Sequence, residues 1–88
     1  LCVYDAARRF ESGTKIGEEA NIAKLLASEA SWHSAEACVQ TLGGHAFAEE
    51  YDVERKYREA RLYQVAPVST NLILAYIAEH VLGLPKSY

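Results

Sequence analysis

Two short runs hold the side chains best placed for chemistry. In the first, Gln40-Thr41-Leu42-Gly43-Gly44, an amide that can both donate and accept hydrogen bonds precedes a glycine pair. Such a pair lets another backbone or a phosphate-bearing ligand come closer than a side chain would permit, and it is also a common way to stop a helix. The second run, Pro67-Val68-Ser69-Thr70-Asn71, offers hydroxyls and an amide but no acid. No carboxylate occurs between Arg61 and Glu79, so general acid–base catalysis has no carboxylate to draw on in that stretch. His33, His45 and His80 include no pair at the four-residue spacing of a helical metal site, and no metal is expected.

These runs sit in a chain of 88 residues, enough for one small domain of marginal stability. Half of the residues are hydrophobic and 24% are charged, the composition of a folded segment rather than a disordered one. The net charge is −3, and the basic residues alternate with acids, as in "ERKYREAR", so nucleic acid is not an expected partner. Cys2 and Cys38 lie far apart without metal-ligand spacing, which favours two reduced thiols in an intracellular protein. The longest apolar run, residues 72–78, is far shorter than the roughly 20 residues that span a bilayer. The sequence has no methionine and opens on "LCVYDAARRF", an amphipathic pattern with no cap before it, so it reads as a fragment of a longer polypeptide.

The elements that must position the two runs are all helical. Leu1, Val3, Tyr4, Ala7 and Phe10 recur at helical spacing, and Gly13 marks a turn after them. Thr14 is the expected N-cap of a long helix that reaches about Leu42, with Glu18 and Glu19 near its positive end. Ala20, Ala23, Ala27, Ala30, Ser34 and Ala37 form a stripe of small residues along it, where a partner helix can approach closely. "HAFAEEY" is a connector, and Asp52 is the expected cap of a short helix through "VERKYREAR", in which Glu54 and Arg58 have the favourable i, i+4 spacing. A last helix follows Pro67, capped by Ser69 and ending near Leu82. That helix is apolar nearly all round and must be covered nearly all round, by the rest of the polypeptide or by another subunit. The fold class is all-α, with about four helices.

Residues 24–61, "KLLASEASWHSAEACVQTLGGHAFAEEYDVERKYREAR", closely resemble the C-terminal helical domain of the acyl-CoA dehydrogenase family. Its members carry a K-x-x-A-S/T-E…Q-x-x-G-G-x-G/A-[YF]…Y-x-V-E-R-x-x-R-[DE]-A pattern. The resemblance implies that residues 1–88 are the last part of a four-helix bundle in a flavoprotein about four times longer. It further implies FAD as cofactor, an acyl-CoA substrate, electron-transfer flavoprotein or a similar electron acceptor, and a homo-oligomer, dimer or tetramer. The implied location is the bacterial cytoplasm rather than the mitochondrial matrix. Gln40, Gly43 and Gly44 fall on positions that, in the family, touch the adenosine and pyrophosphate side of FAD, commonly a flavin held mainly by the adjacent subunit. Thr41 and Leu42 would add main-chain contacts there.

The second run departs from the family pattern. Members continue R-[DE]-A with a stretch like Q-I-Y-E-G-T-S-E, whose glutamate takes the α-proton of the acyl-CoA while hydride leaves to the flavin. Aligned without gaps, Pro67 stands at the glutamate and Val68 at the glycine that lies against the thioester. Proline carries no proton-accepting side chain, so the run supplies no catalytic residue. Ser69 and Thr70 keep the two hydroxyls, and with Asn71 they are the implied flavin contacts near the start of the last helix. Three readings stay open: a dehydrogenase whose base lies upstream, a flavin-dependent oxidase or monooxygenase of the same fold, and a non-catalytic helical interaction module.

Overall fold

A computed structural model describes residues 1–86. Helix α1 (Cys2–Glu11) leads to α2 (Gly17–Leu42), and two short 3-10 turns, Gly43–Phe47 and Glu49–Tyr51, connect it to α3 (Val53–Val65). Helix α4 (Thr70–Tyr76) continues into a π-helical turn, Ile77–Val81. No strand forms among the described residues, so the all-α expectation holds.

The long α2 is the spine on which the others lie. Against it α1 is held by an ion pair from Arg9 to Glu19 at 2.8 Å, while Asp5 takes hydrogen bonds from Arg8 and Arg9 along α1 itself. Helix α3 meets α2 through Trp32, whose ring lies 4.7 Å from that of Tyr57 and has the Arg61 guanidinium 5.2 Å from its centre. Helix α4 reaches the start of α2, where a methyl group added to Gly17 would stand 2.8 Å from the Tyr76 hydroxyl. Glycine at position 17 therefore lets the two elements close.

Two of the expected caps are corrected. Thr14 does not cap α2: the helix begins at Gly17 behind Ile16, which has no capping side chain, and the Thr14 hydroxyl instead lies 3.1 Å from that of Ser12. Asp52 does precede α3, but its backbone is left-handed, with φ 61°, because it also closes the Glu49–Tyr51 turn. Its carboxylate takes two 2.6 Å hydrogen bonds from Arg55 rather than binding a backbone N–H. Ser69 is a true cap, accepting from the Leu72 N–H at 3.3 Å. Helix α3 also runs four residues past Arg61, stopping where Pro67 disfavours helical backbone at Ala66.

The core is small. Among the described residues Ala6, Ala23, Ala46, Ala60 and Ile73 are its buried apolar members, and Ile73 is the one large side chain completely withdrawn from solvent. The remainder of the alanine stripe on α2 (Ala20, Ala27, Ala30, Ser34 and Ala37) stays exposed. Leu72 and Leu74 on α4 are likewise more than half exposed, as expected of a helix apolar nearly all round. The chain is a plate of 46 × 33 × 19 Å, about two helices thick. Its radius of gyration is 16.2 Å, against about 12 Å for a compact domain of this length.

Candidate functional site

The first run forms the turn that ends α2. Gln40 is exposed in the last helical turn, where it borders a shallow depression with Glu36, Ala37, Val39 and Tyr57. Its amide makes no hydrogen bond with the described residues, whereas the Thr41 hydroxyl donates back to the Ala37 carbonyl at 2.7 Å. Thr41 and Leu42 are exposed, with the Thr41 hydroxyl turned back onto the helix. Gly43 closes the helix by donating its N–H to the Val39 carbonyl, at φ 59° and ψ −133°, a conformation that L side chains rarely adopt. Gly44 is different. Its φ is not positive, and a methyl group built there meets no atom within 4 Å, so nothing among the described residues requires glycine at that position.

The turn is held from below. Ala46 is 1% exposed, and the His45 ring packs edge-on against Tyr51 at 5.7 Å. His45 is therefore part of the support for the glycine turn. The open approach at Gly44 and the unpaired Gln40 amide four residues earlier suit a polar, phosphate-bearing group, so the residues fit the adenosine-pyrophosphate part of a flavin cofactor.

The second run forms the connector from α3 to α4. Pro67 and Val68 are exposed, Ser69 caps α4, and the polar side chains of Thr70 and Asn71 make no hydrogen bond with the described residues. Glu79, the next carboxylate along the chain, lies 3.9 Å from the His80 imidazole. The carboxylates with depressed pKa are elsewhere: a hydrogen bond from Arg8 lowers Asp5, and one from Arg55 lowers Asp52. Neither faces the connector.

One contact at the connector was not expected. The ammonium of Lys24, on α2, donates to the Tyr63 carbonyl at 2.7 Å and to the Val68 carbonyl at 2.9 Å. Beside it Ala27, Ser28, Ser31 and Tyr63 line an apolar cavity of about 290 Å³. The only signal of Lys24 in the sequence was its place at the head of the family pattern. The structure brings residues 40–44 together at one end of α2 and residues 67–71 together near its other end, but does not join the two groups. Between Lys24 and Leu42, α2 spans about 27 Å at 1.5 Å per residue. Among the described residues no cluster of three metal-ligating side chains forms, and no helix is long and apolar enough to cross a membrane.

Comparison with known proteins follows the same lines. The family described as "Acyl-CoA dehydrogenase, C-terminal domain" matches residues 1–82. The acyl-CoA dehydrogenase FadE12 of Mycobacterium tuberculosis is 39% identical over 90 residues, covering 100% of this chain and 23% of that protein. The mitochondrial short/branched chain specific acyl-CoA dehydrogenase of Rattus norvegicus is 33% identical over 81 residues, 92% of this chain and 19% of its own. A 3-(aryl)acrylate reductase of Clostridium sporogenes is 30% identical over 82 residues, 93% of this chain and 22% of its own. The chain thus spans less than a quarter of the length of each of these relatives. No solved structure matches it. With all but its last six residues matched to the family's C-terminal domain and its helices in the expected order, the chain belongs to the acyl-CoA dehydrogenase family.

Proposed function

We propose that residues 1–88 are the C-terminal helical part of a longer FAD-dependent acyl-CoA dehydrogenase, and that they supply flavin contacts and a subunit interface rather than the catalytic base. The observation that carries this reading is the turn at the end of α2. Gly43 is glycine for its own backbone, whereas Gly44 has no such reason among the described residues and is exposed, and the Gln40 amide, four residues earlier in the chain, is unpaired among them. The Gln40 amide and the main chain of Thr41, Leu42, Gly43 and Gly44 would hold the adenosine-pyrophosphate portion of FAD. Ser69, Thr70 and Asn71 would meet the flavin from the connector, and Val68 would border the acyl group. When bound, FAD supplies the hydride acceptor for α,β-dehydrogenation of an acyl-CoA thioester.

The chain's own share of the reaction is binding and orientation. Proline at position 67 cannot take the α-proton, and no carboxylate stands in this connector, so the base belongs to another part of the longer polypeptide. The spacing of about 27 Å along α2 between the two runs supports a division of labour in an oligomer, one run serving a neighbouring subunit's flavin. The exposed apolar side chains of α4 support burial against further helices or subunits. Electron-transfer flavoprotein or a similar acceptor, in a bacterial cytoplasm, completes the reading.

Pro67 also supports a second reading, a flavin-dependent oxidase or monooxygenase of the same fold, in which oxygen chemistry needs no base at this position. The full-length protein distinguishes the two. Anaerobic bleaching of its flavin absorbance by an acyl-CoA is expected of a dehydrogenase, and Gln40→Ala should weaken FAD retention. A flavin that acyl-CoA leaves oxidised, but that turns over oxygen once reduced by another donor, would favour the second. Failure of the full-length protein to take up FAD would refute both and leave a helical interaction module.

A further inference from the structure

We infer that Lys24 is a positioning residue for the α3–α4 connector, its ammonium standing in for the backbone N–H that Pro67 lacks. In a continuing α-helix the Tyr63 carbonyl would accept from the N–H four residues later. That residue is Pro67, which has no N–H, so the Tyr63 carbonyl at the C-terminal end of α3 loses its natural donor. Lys24 fills the place at 2.7 Å. A cation is also the charge that a helix C-terminus favours. The same ammonium reaches the Val68 carbonyl at 2.9 Å, on the far side of Ala66 and Pro67 and immediately before the cap of α4. One side chain thus joins three elements: α2, the end of α3 and the entry to α4.

Lys24 has no competing assignment. No carboxylate lies within ion-pair distance of it among the described residues, whereas each hydrogen-bonding Arg side chain on α1 and α3 has a side-chain partner on a neighbouring turn or helix. Its side chain is half-buried against the connector. Hydrogen bonds from a charged donor to carbonyls are stronger than neutral ones, and two of them fix both sides of the segment that carries Val68. The catalytic consequence rests on the function proposed above, in which Val68 borders the acyl group. The structural consequence does not.

The test uses the full-length protein with Lys24→Met, which keeps the length of the side chain but has no donor, and Lys24→Arg, which restores donors and charge. Amide hydrogen exchange is read at Ala66, Leu72 and Ile73, whose N–H groups are bonded at the end of α3 and the start of α4. Ala20 and Asp5, bonded at the starts of α2 and α1, are the controls. Lys24→Met should speed exchange at the three connector amides by about tenfold with the controls within about twofold, and Lys24→Arg should recover most of the loss. Unchanged exchange at the connector in Lys24→Met overturns the inference. If Lys24→Met loses protection everywhere, Lys24→Arg decides: protection retained at the connector supports the role, and protection lost there while the controls hold overturns it.

Kinetics with acyl-CoA then test the positioning. A loosened Val68 segment raises KM by about fivefold or more while kcat changes less than twofold, whereas a merely structural defect lowers the active fraction and leaves KM alone. An unchanged KM with a loosened connector overturns the catalytic part. A wild-type protein that neither binds FAD nor oxidises acyl-CoA would refute the proposed function, and exchange at the connector would still judge Lys24.

Discussion

Substituting Gly43 and Gly44 separately by alanine separates backbone strain from ligand approach at adjacent positions. At Gly43 the backbone stands at φ 59° and ψ −133°, where a β-carbon costs about 1–3 kcal/mol. Alanine also restricts the unfolded chain, which returns about 0.4–1 kcal/mol. Strain wins, and Gly43→Ala should destabilise the apoprotein by about 1–2 kcal/mol. At Gly44 the strain is missing and the added methyl meets nothing within 4 Å, so only the unfolded-state effect remains. Gly44→Ala should leave the apoprotein's stability unchanged or raise it by about 0.5 kcal/mol. If FAD approaches at this turn, the same methyl overpacks the contact at about 1–3 kcal/mol, a loss of affinity of about ten- to hundredfold. Urea unfolding of the apo form followed by circular dichroism reads the first quantity, and titration with FAD followed by flavin fluorescence reads the second. A Gly44→Ala variant that loses more than about 1 kcal/mol yet keeps its FAD affinity within twofold would refute the reasoning, since glycine would then serve the chain and not a ligand.

Three further perturbations have outcomes fixed by the structure. Ile73→Ala removes the one large fully buried side chain and should weaken protection of α2 and α4 amides by about 2–5 kcal/mol, with Ile73→Val costing about 0.5–1.5; equal effects of the two would contradict a tightly packed Ile73. Ser69→Ala removes the acceptor of the Leu72 N–H and should cost about 1 kcal/mol, read as roughly fivefold faster exchange of that amide, while Ser69→Asp, which keeps an acceptor, should not. Asp52 has its pKa lowered by the Arg55 hydrogen bond, so its contribution is present above the ordinary value of 3.8 and is lost as pH falls from there through the lower folded value. A carbon-13 titration of the Asp52 carboxyl should give a midpoint below 3.8 that returns towards it in Arg55→Gln, and an unshifted midpoint in both would show that the pair does not form in solution.

The parts of the fold that could be read from sequence are those set by neighbours in the chain. Ser69 capping α4 and Gly43 ending α2 follow from local chemistry, a hydroxyl acceptor before a helix and a residue free of β-carbon after one. Thr14 and Asp52 have the same local credentials and failed because a nearer partner won: the Ser12 hydroxyl for Thr14, and the Arg55 guanidinium for Asp52. The two 3-10 turns escaped notice because three to five residues carry too little periodicity to register. Lys24 was hidden for a different reason. Its acceptors are backbone carbonyls 39 and 44 residues away, and carbonyls leave no mark in a sequence. A proline four residues after Tyr63 removes a donor from a helix end, which marks a carbonyl in need of a partner but does not point to Lys24. Of the candidate sites, the glycine turn was therefore legible as geometry, and the connector only as a missing acid.

The same division explains why so short a core can belong to an ordered domain. A compact monomer of 9.8 kDa exposes about 5,200 Å², whereas this chain exposes 6580 Å². The excess, about 1,400 Å², exceeds the roughly 800 Å² that each partner contributes to an interface of standard size, and approaches what obligate interfaces bury. Much of it is apolar side chain: Phe10 on α1, Leu26 on α2, Leu62 and Tyr63 on α3, and Leu72 and Leu74 on α4 are all about half exposed or more. Burying these side chains at about 25 cal/mol per Å² would outweigh what one isoleucine and four alanines can contribute. The internal contacts thus set the relative placement of the helices more than their stability. Ile73 and Lys24 both pin the α4 end of the plate, one by packing and the other by hydrogen bonds, and they leave these apolar side chains exposed. A segment arranged in this way holds its connector by its own contacts while its exposed apolar side chains contribute nothing to its own core.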